Sequence, residues 1–325
     1  MKNICIVGYG SIGRTHAKAI AETQNGHLYA VCDINPDRIQ KCQTEYPHVI
    51  GYKNFDEMLK DEHIDSVHIC TPHHLHYKMI VDALDAGKCV VAEKPVTINR
   101  EDFDKLLQNE HIDKLALVFQ NRLNPCVHMM KSIISEKKLG NIQCIRAILT
   151  WHRTKEYYQA DSWRGKWATE GGGLMINQAV HTLDLMSYLA GDIQAVQANM
   201  ANFSLHDIIE VEDTCSAHLQ YTNGITGIFF ATNAYGANSS PEIEIRFENG
   251  IARYIDEKLY LNGELVDQNT ISSGEKSYWG TSHITLIRNY YDHGIYFKIT
   301  DAQNTMYTLF AMYESAKNNS MPVQI

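Results

Sequence analysis

The chain has 325 residues, 44% of them apolar and 21% charged, with a formal net charge of −9. Its length exceeds one typical domain, and its composition is that of a soluble globular protein. The negative balance leaves no basic excess to release counterions. This argues against a nucleic-acid backbone or an anionic membrane as partner and favours a small neutral or polar ligand.

The opening MKNICIVGYG runs straight into a strand, with no room for a signal peptide's apolar segment, and no apolar run reaches membrane-spanning length. A cytoplasmic protein is expected. To about residue 120, short apolar runs alternate with helical patterns: ICIVG (4–8), LYAVCD (28–33), SVHICT (66–71), CVVAEK (89–94) and LALVFQ (115–120). Strands buried on both faces and separated by helices indicate an α/β doubly wound parallel sheet. The eight cysteines form no C-x-x-C pair, and Cys5, Cys32, Cys70 and Cys89 read as reduced core residues of these strands.

Directly after the first strand comes G-x-G-x-x-G, made by Gly8, Gly10 and Gly13 around Tyr9, Ser11 and Ile12. Gly8 permits the tight turn, Gly10 lets a pyrophosphate approach the backbone, and Gly13 allows close helix-to-sheet packing. The following helix offers its first N–H groups to phosphates. Asp33 ends the next strand twenty residues after Gly13, where a carboxylate hydrogen-bonds ribose hydroxyls and repels a 2′-phosphate, favouring NAD over NADP. Arg38 reads either as a residue permitting dual use or as a solvated helix face. In TPHHLH (71–76), His73, His74 and His76 cluster near Cys70. Metal ligands need partners converging from a suitable geometry, so pocket lining or helix-start packing is the expectation there and no metal is expected.

Beyond residue 121 longer alternating strands take over, at 141–151, 213–221, 225–235, 242–248 and 258–266, with Asn-Gly pairs at 223–224, 249–250 and 262–263. Asn-Gly is a strong hairpin signal, so a mostly antiparallel sheet is expected, with helices on one side. Two helices, about 282–293 and 301–317, close the chain. The expected division is 1–121 and 122–325.

Arg122, in the linking QNRLNP, reads as cleft lining or as a structural salt bridge. The stretch WHRTKEYYQADSWRGKW (151–167) is dense in rings and cations. Trp163, Arg164, Tyr157 and Tyr158 suit a polyhydroxylated ring, whose C–H face stacks on aromatics while its hydroxyls accept from arginine; ordinary packing is the alternative. In GGGLMINQAVHTLDLMSYLAG (171–191), a period of about 100° per residue puts Asn177, His181, Asp184 and Tyr188 on one polar stripe of an otherwise oily helix. Such a stripe is either an internal network, with Asp184 holding His181, or one wall of a reaction site.

The segments GYGSIGRTHAKA, CTPHHLHYKMIVDALDAGKCVVAEKP, WRGKWATEGGGLMINQAVHTLD and YESAKNNSMPVQI together resemble the glucose-fructose oxidoreductase and inositol dehydrogenase family. The resemblance implies a Rossmann domain followed by an α/β domain with an open-faced sheet often used for oligomerisation, here as a homodimer or homotetramer. It puts Thr71, Pro72, His73, His76, Glu93 and Lys94 around the cofactor. It makes Lys94 and His181 the catalytic pair, with His181 as general base and Lys94 stabilising the alkoxide, and sets Trp163 and Arg164 on the substrate side, while Asn177 hydrogen-bonds substrate hydroxyls or orients His181. Many relatives carry aspartate where this chain has Asn177, and an amide cannot titrate. The implied activity is hydride transfer between NAD and a sugar, glycoside or polyol hydroxyl. A redox-neutral glycosidase with tightly bound NAD and a non-catalytic NAD-dependent binding protein are the alternatives.

Overall fold

The computed structural model describes residues 1–269 and 282–325. They divide into two compact units, Met1–Gln120 with Ser282–Asp301, and Asn121–Thr281 with Ala302–Ile325.

In the first unit six strands form one sheet: β1 (Lys2–Val7), β2 (Gly26–Cys32), β3 (Ile50–Tyr52), β4 (Ser66–Ile69), β5 (Cys89–Ala92) and β6 (Leu115–Leu117). Their order is β3-β2-β1-β4-β5-β6 and every pairing is parallel. The order reverses between β1 and β4, so the ligand crevice of such a sheet opens beyond Val7 and Ile69. Helices α1 (Ser11–Ala21), α2 (Pro36–Glu45), α3 (Phe55–Leu59), α4 (His73–Asp85) and α5 (Arg100–Leu107) complete the alternation. All four residues of β4 are buried, as an internal parallel strand requires. The seat of α1 depends on Gly13, because a Cβ there would lie 2.1 Å from the Gly8 carbonyl oxygen.

The second unit holds nine strands: β7 (Ile142–Thr150), β8 (Ile193–Ala201), β9 (Thr214–Tyr221), β10 (Thr226–Thr232), β11 (Glu242–Phe247), β12 (Gly250–Ile255), β13 (Lys258–Leu261), β14 (Glu264–Gln268) and β15 (Val323–Gln324). Their order is β14-β13-β12-β11-β7-β10-β9-β8-β15, antiparallel throughout except for the parallel β7–β10 pair. The unit's helices are α6 (Pro125–Ser135), α7 (Lys155–Gln159) and α8 (Val180–Ala190); the chain then closes through α9 (Ser282–His293), in the first unit, and α10 (Gln303–Lys317), in the second. Helices α8 and α10 pack on the sheet. On β9 and β10 buried and exposed residues alternate, and Ile228 and Phe230 lie on the exposed side.

Three expectations need correction. The run 258–266 is a hairpin of β13 and β14: Asn262 and Gly263 take φ of 52° and 89°, and positive φ at both central residues is what a tight hairpin turn requires. The expected helix through 171–191 is not uniform, since Met175–Ala179 is wound as a π-helix ahead of α8. A single division after residue 121 omits the return of residues 282–301 to the first unit. That return is tied by the Leu117 N–H to the Phe297 carbonyl at 2.9 Å and by the Asp292 carboxylate, which accepts from the Gln24 and Asn25 N–H groups at 3.0 and 2.9 Å.

The glycines of the first turn give a direct test of this packing. Gly13→Ala is expected to cost about 1–3 kcal/mol in urea unfolding, because the methyl group must displace backbone. A Cβ at Gly10 meets nothing within 4 Å, so Gly10→Ala should leave the unfolding midpoint unchanged. Equal effects of the two substitutions would contradict the assignment.

Candidate functional site

At the crevice of the first unit, Gly10 is the N-cap of α1 and supplies no side-chain cap, leaving the first N–H groups of the helix for an anion. Asp33 follows β2 and is 5% exposed. Its Oδ2 accepts the Tyr9 N–H at 2.8 Å, its Oδ1 accepts the Asn35 N–H at 2.8 Å, and the exposed Arg38 guanidinium stands 3.6 Å from Oδ2. A carboxylate has lone pairs for further donors, so ribose hydroxyls fit here. The open backbone at Gly10, the uncapped helix and Asp33 together fit a dinucleotide. Tyr9 contributes only backbone to this corner: its ring is buried, and its hydroxyl donates to Glu45 at 2.7 Å.

Thr71 and Pro72 lead into α4, where His73 and His76 are both buried. The ring nitrogens of His76 face the Pro95 and Thr71 carbonyl oxygens at 2.7 and 2.8 Å, and burial pushes its pKa down. His76 therefore staples the start of α4 to the segment after Lys94, the helix-start packing that the sequence offered beside pocket lining. Glu93 also turns inward. Its Oε2 accepts the Lys94 N–H at 3.2 Å, and its Oε1 lies 3.0 Å from His16 Nε2 and 3.5 Å from His283 Nε2. From His16 the contacts run on through His68 (2.8 Å), the Tyr291 hydroxyl (2.8 Å) and Ser66 (2.7 Å).

Burial works against the charge on Glu93, but hydrogen bonds from His16 and His283 hold its carboxyl well below the ordinary value. Burial pushes His16 down and His68 well down. Among the described residues, the histidine and carboxylate donors that converge within 4.8 Å of one another are those of His16, Glu93 and His283, not those of TPHHLH. Sequence singled out neither His16 nor His283, because their partner is distant along the chain. Lys94 itself is half-buried at the carboxyl end of β5.

In the second unit, the 151–167 stretch folds around Arg164. Its guanidinium lies over the rings of Tyr157 and Trp163, 4.3 and 5.3 Å from their centroids, and pairs with Asp161 at 3.0 Å. The Tyr157 hydroxyl accepts from Gln178 Nε2 at 3.0 Å, which links this stack to the π-helix; Tyr158 is buried beneath it.

The polar stripe divides. Asp184 is 1% exposed. Arg122 clamps it with Nε and Nη2 at 2.8 and 2.6 Å, and the Thr305 hydroxyl donates to it at 2.8 Å. The two residues expected at the substrate, Arg122 and Asp184, are thus a buried ion pair, and the salt-bridge alternative is the one the structure realises. A buried charge has to be matched, and the partner of Asp184 comes from 62 positions away. Tyr188 lies under the Arg122 and Lys131 cations at 5.0 and 4.6 Å. Asn177 and His181 stay half-buried.

The sequence reading also missed two carboxyls. Glu170, fully buried, accepts from the Gly165 N–H and from Asn177 Nδ2, the latter at 2.6 Å. Burial pushes it up to about 7, with Gly165 and Asn177 opposing. Glu212, raised by burial, accepts from the Gly173 and Met175 N–H groups at 2.9 Å and from the Tyr313 hydroxyl at 2.8 Å. Nothing in local periodicity signals a buried carboxyl beside a glycine run.

Comparison with known proteins identifies the family. A family model described as oxidoreductase family, NAD-binding Rossmann fold, matches residues 2–119, and the GFO/IDH/MocA C-terminal domain model matches residues 127–253. The chain belongs to the GFO/IDH/MocA family of NAD-binding oxidoreductases. Within the family it is 24% identical to levoglucosan dehydrogenase of Pseudarthrobacter phenanthrenivorans over 76% of this chain and 72% of that protein. It is 23% identical to myo-inositol 2-dehydrogenase of Thermotoga maritima over 69% of this chain and 66% of that one. The WlbA dehydrogenase of Bordetella pertussis, solved with NADH and UDP-GlcNAcA, superposes with a TM-score of 0.86 at 26% identity, covering 100% of this chain and 97% of that one. No helix among the described residues is long and apolar enough to cross a membrane.

Two stability experiments follow from the buried charges. Truncating one member of the ion pair, Arg122→Ala or Asp184→Ala, is expected to cost about 3–5 kcal/mol in urea unfolding, because the remaining charge is left buried and unmatched. A change within error would contradict the pairing. For Glu170, the folded carboxyl keeps its proton up to about pH 7, whereas its ordinary pKa is 4.5. This group therefore makes stability fall as pH rises between those two values, and imposes its full cost above the upper one. The thermal midpoint should lose that part of its slope in Glu170→Gln; an unchanged slope would refute the assignment.

Proposed function

We propose that the protein is a dehydrogenase that moves a hydride between NAD and a secondary hydroxyl of a sugar, glycoside or polyol. The observation that carries the substrate class is the ring-and-guanidinium stack of Trp163, Arg164 and Tyr157, linked through Gln178 to the helix that bears the half-buried Asn177 and His181. Stacked rings take the C–H face of a pyranose or cyclitol, and amide and imidazole groups take its hydroxyls. The named activities of the levoglucosan and myo-inositol dehydrogenases support the same class.

Gly10, the first N–H groups of α1 and Asp33 would hold the dinucleotide, and the nicotinamide supplies the hydride acceptor when bound. In this reading His181 takes the hydroxyl proton on its imidazole as general base. Lys94 supplies the positive charge that stabilises oxygen as the proton leaves. Asn177 orients a substrate hydroxyl, while Arg122 and Asp184 hold the helix that carries His181. The apolar exposed residues of β10, Ile228 and Phe230, support association of copies through the sheet face as a homodimer or homotetramer. The eight free thiols support a reducing, cytoplasmic setting.

A panel of sugars, glycosides and cyclitols should contain compounds that generate NADH with the wild-type chain. His181→Ala and Lys94→Ala should each lower kcat by about 10²–10⁴-fold and leave NAD affinity, followed by ligand fluorescence, nearly unchanged. Gly10→Ala should show the opposite pattern, with NAD affinity lost. Full activity in both catalytic variants would overturn the reading. Cofactor retained through purification together with glycoside cleavage and no NADH release would replace it with redox-neutral hydrolysis.

A further inference from the structure

The chain as a whole is negative, but the segment that carries the ring stack is not. Between Trp151 and Trp167 stand Arg153, Lys155, Arg164 and Lys166 against Glu156 and Asp161. In the second unit this segment lines a cavity of about 340 Å³, within the range of small-molecule sites. Lys155, Arg164 and Lys166 face it beside Asp161 and Asp207, and Gln159 and Ser162 add an amide and a hydroxyl; Glu156 lies outside the lining. Gly165, at a φ of 74° that glycine adopts without strain, turns the chain between Arg164 and Lys166.

The charges around this cavity do not cancel. Asp161 is paired with Arg164 Nη2 at 3.0 Å, and Asp207 stands 3.3 Å from His206 with its side chain 88% exposed. Lys155 and Lys166 are exposed, and neither ammonium makes an ion pair or hydrogen bond with another described residue. Arg164 gives Nη1 to the Tyr157 carbonyl oxygen at 3.3 Å, while its buried Nε has no hydrogen-bond partner among the described residues. Two unmatched ammonium groups at one concavity repel each other. An oxyanion between them relieves that repulsion and accepts charge-assisted hydrogen bonds from both.

We propose that this cavity is a subsite for an oxyanion carried by the substrate, with Lys155 and Lys166 binding the phosphate or carboxylate group of an acidic sugar, a reading that rests on the stack of Trp163, Arg164 and Tyr157 being the seat of the sugar ring. Arg164 joins the two parts, because its guanidinium lies 4.3 Å from the centre of the Tyr157 ring and also lines the cavity. The ring is held on the aromatic side of that guanidinium and its charged substituent on the lysine side. Lys155 and Lys166 thereby choose among sugars and take no part in the hydride step.

The test offers the wild-type chain and NAD a series of hexoses and cyclitols, each beside its phosphate monoester and, for the hexoses, its uronate. At least one acidic compound should show a kcat/KM about 10–100-fold above its neutral parent, the size of one charge-assisted hydrogen bond, and added salt should shrink that preference. The double substitution Lys155→Gln with Lys166→Gln, at two exposed positions, should abolish the preference, chiefly through KM. Preference for phosphates or for uronates upholds the subsite alike and tells which oxyanion it takes. Neutral parents preferred throughout, or a preference that survives the double substitution, overturns it. A second measurement needs no turnover: with saturating NAD filling the turn at Gly10, inorganic phosphate should bind the wild-type chain, read as broadening of its ³¹P signal, and not the double variant. Absence of broadening in the wild type, or equal broadening in both, overturns the subsite. If phosphate binds through the lysines and no compound of the series is oxidised, the subsite stands and it is the dehydrogenase reading that falls.

Discussion

Close contact of backbone with backbone, at positions where no side chain fits, fixes the functional segment of each unit. In the first unit the missing side chain of Gly13 lets α1 sit on the turn after β1, so that the helix start faces the crevice where the strand order reverses. In the second unit a Cβ at Gly173 would lie 2.1 Å from the Glu212 carbonyl oxygen, and that contact sets the start of the helix that bears Asn177 and His181. These approaches leave almost no slack, because a methyl group at either position must displace main chain and not a flexible side chain. Open backbone at Gly10 is the complementary case, with space kept for a ligand.

Buried charge is the second ordering principle, and it acts differently at three places. Glu93 keeps its negative charge because His16 and His283 donate to it, which fixes the main chain at Lys94. Asp184 is gripped by two nitrogens of Arg122, and Thr305 adds a third donor. Glu170 accepts from a backbone N–H and an amide, yet burial outweighs them and its proton stays on to near neutrality. Whether a carboxyl's donors outweigh the cost of its burial decides which way its pKa moves, down at Glu93 and up at Glu170.

The parallel sheet was legible in the sequence because its strands are continuous apolar runs and its nucleotide turn has a distinctive glycine spacing. Strand β3 escaped because it has three residues, none of them buried, and β8 because Gln194, Gln197 and Asn199 break its apolar pattern. The site was legible in part. His181, Asn177 and Lys94 sit where their motifs suggested, on a helix start and a strand end. The Arg122 partner of Asp184 was not legible, because a 100° period shows which residues share a face but not which partner from elsewhere in the chain meets that face. The π-helical turn at Met175–Ala179 shifts the phase between Asn177 and α8 as well, and no local residue preference announces it. Glu170, Glu212, His16 and His283 had no local signature, since their roles come from contacts between distant segments.

The central claim is direct hydride transfer from a substrate carbon to NAD, and isotopic labelling tests it most directly. With a sugar or polyol deuterated at the oxidised carbon, the NADH recovered from the wild-type chain should carry one deuterium at the nicotinamide C4, and the reaction in light substrate should give none. Deuterium appearing in solvent instead, or no labelled NADH from any compound of a broad panel, would contradict the account.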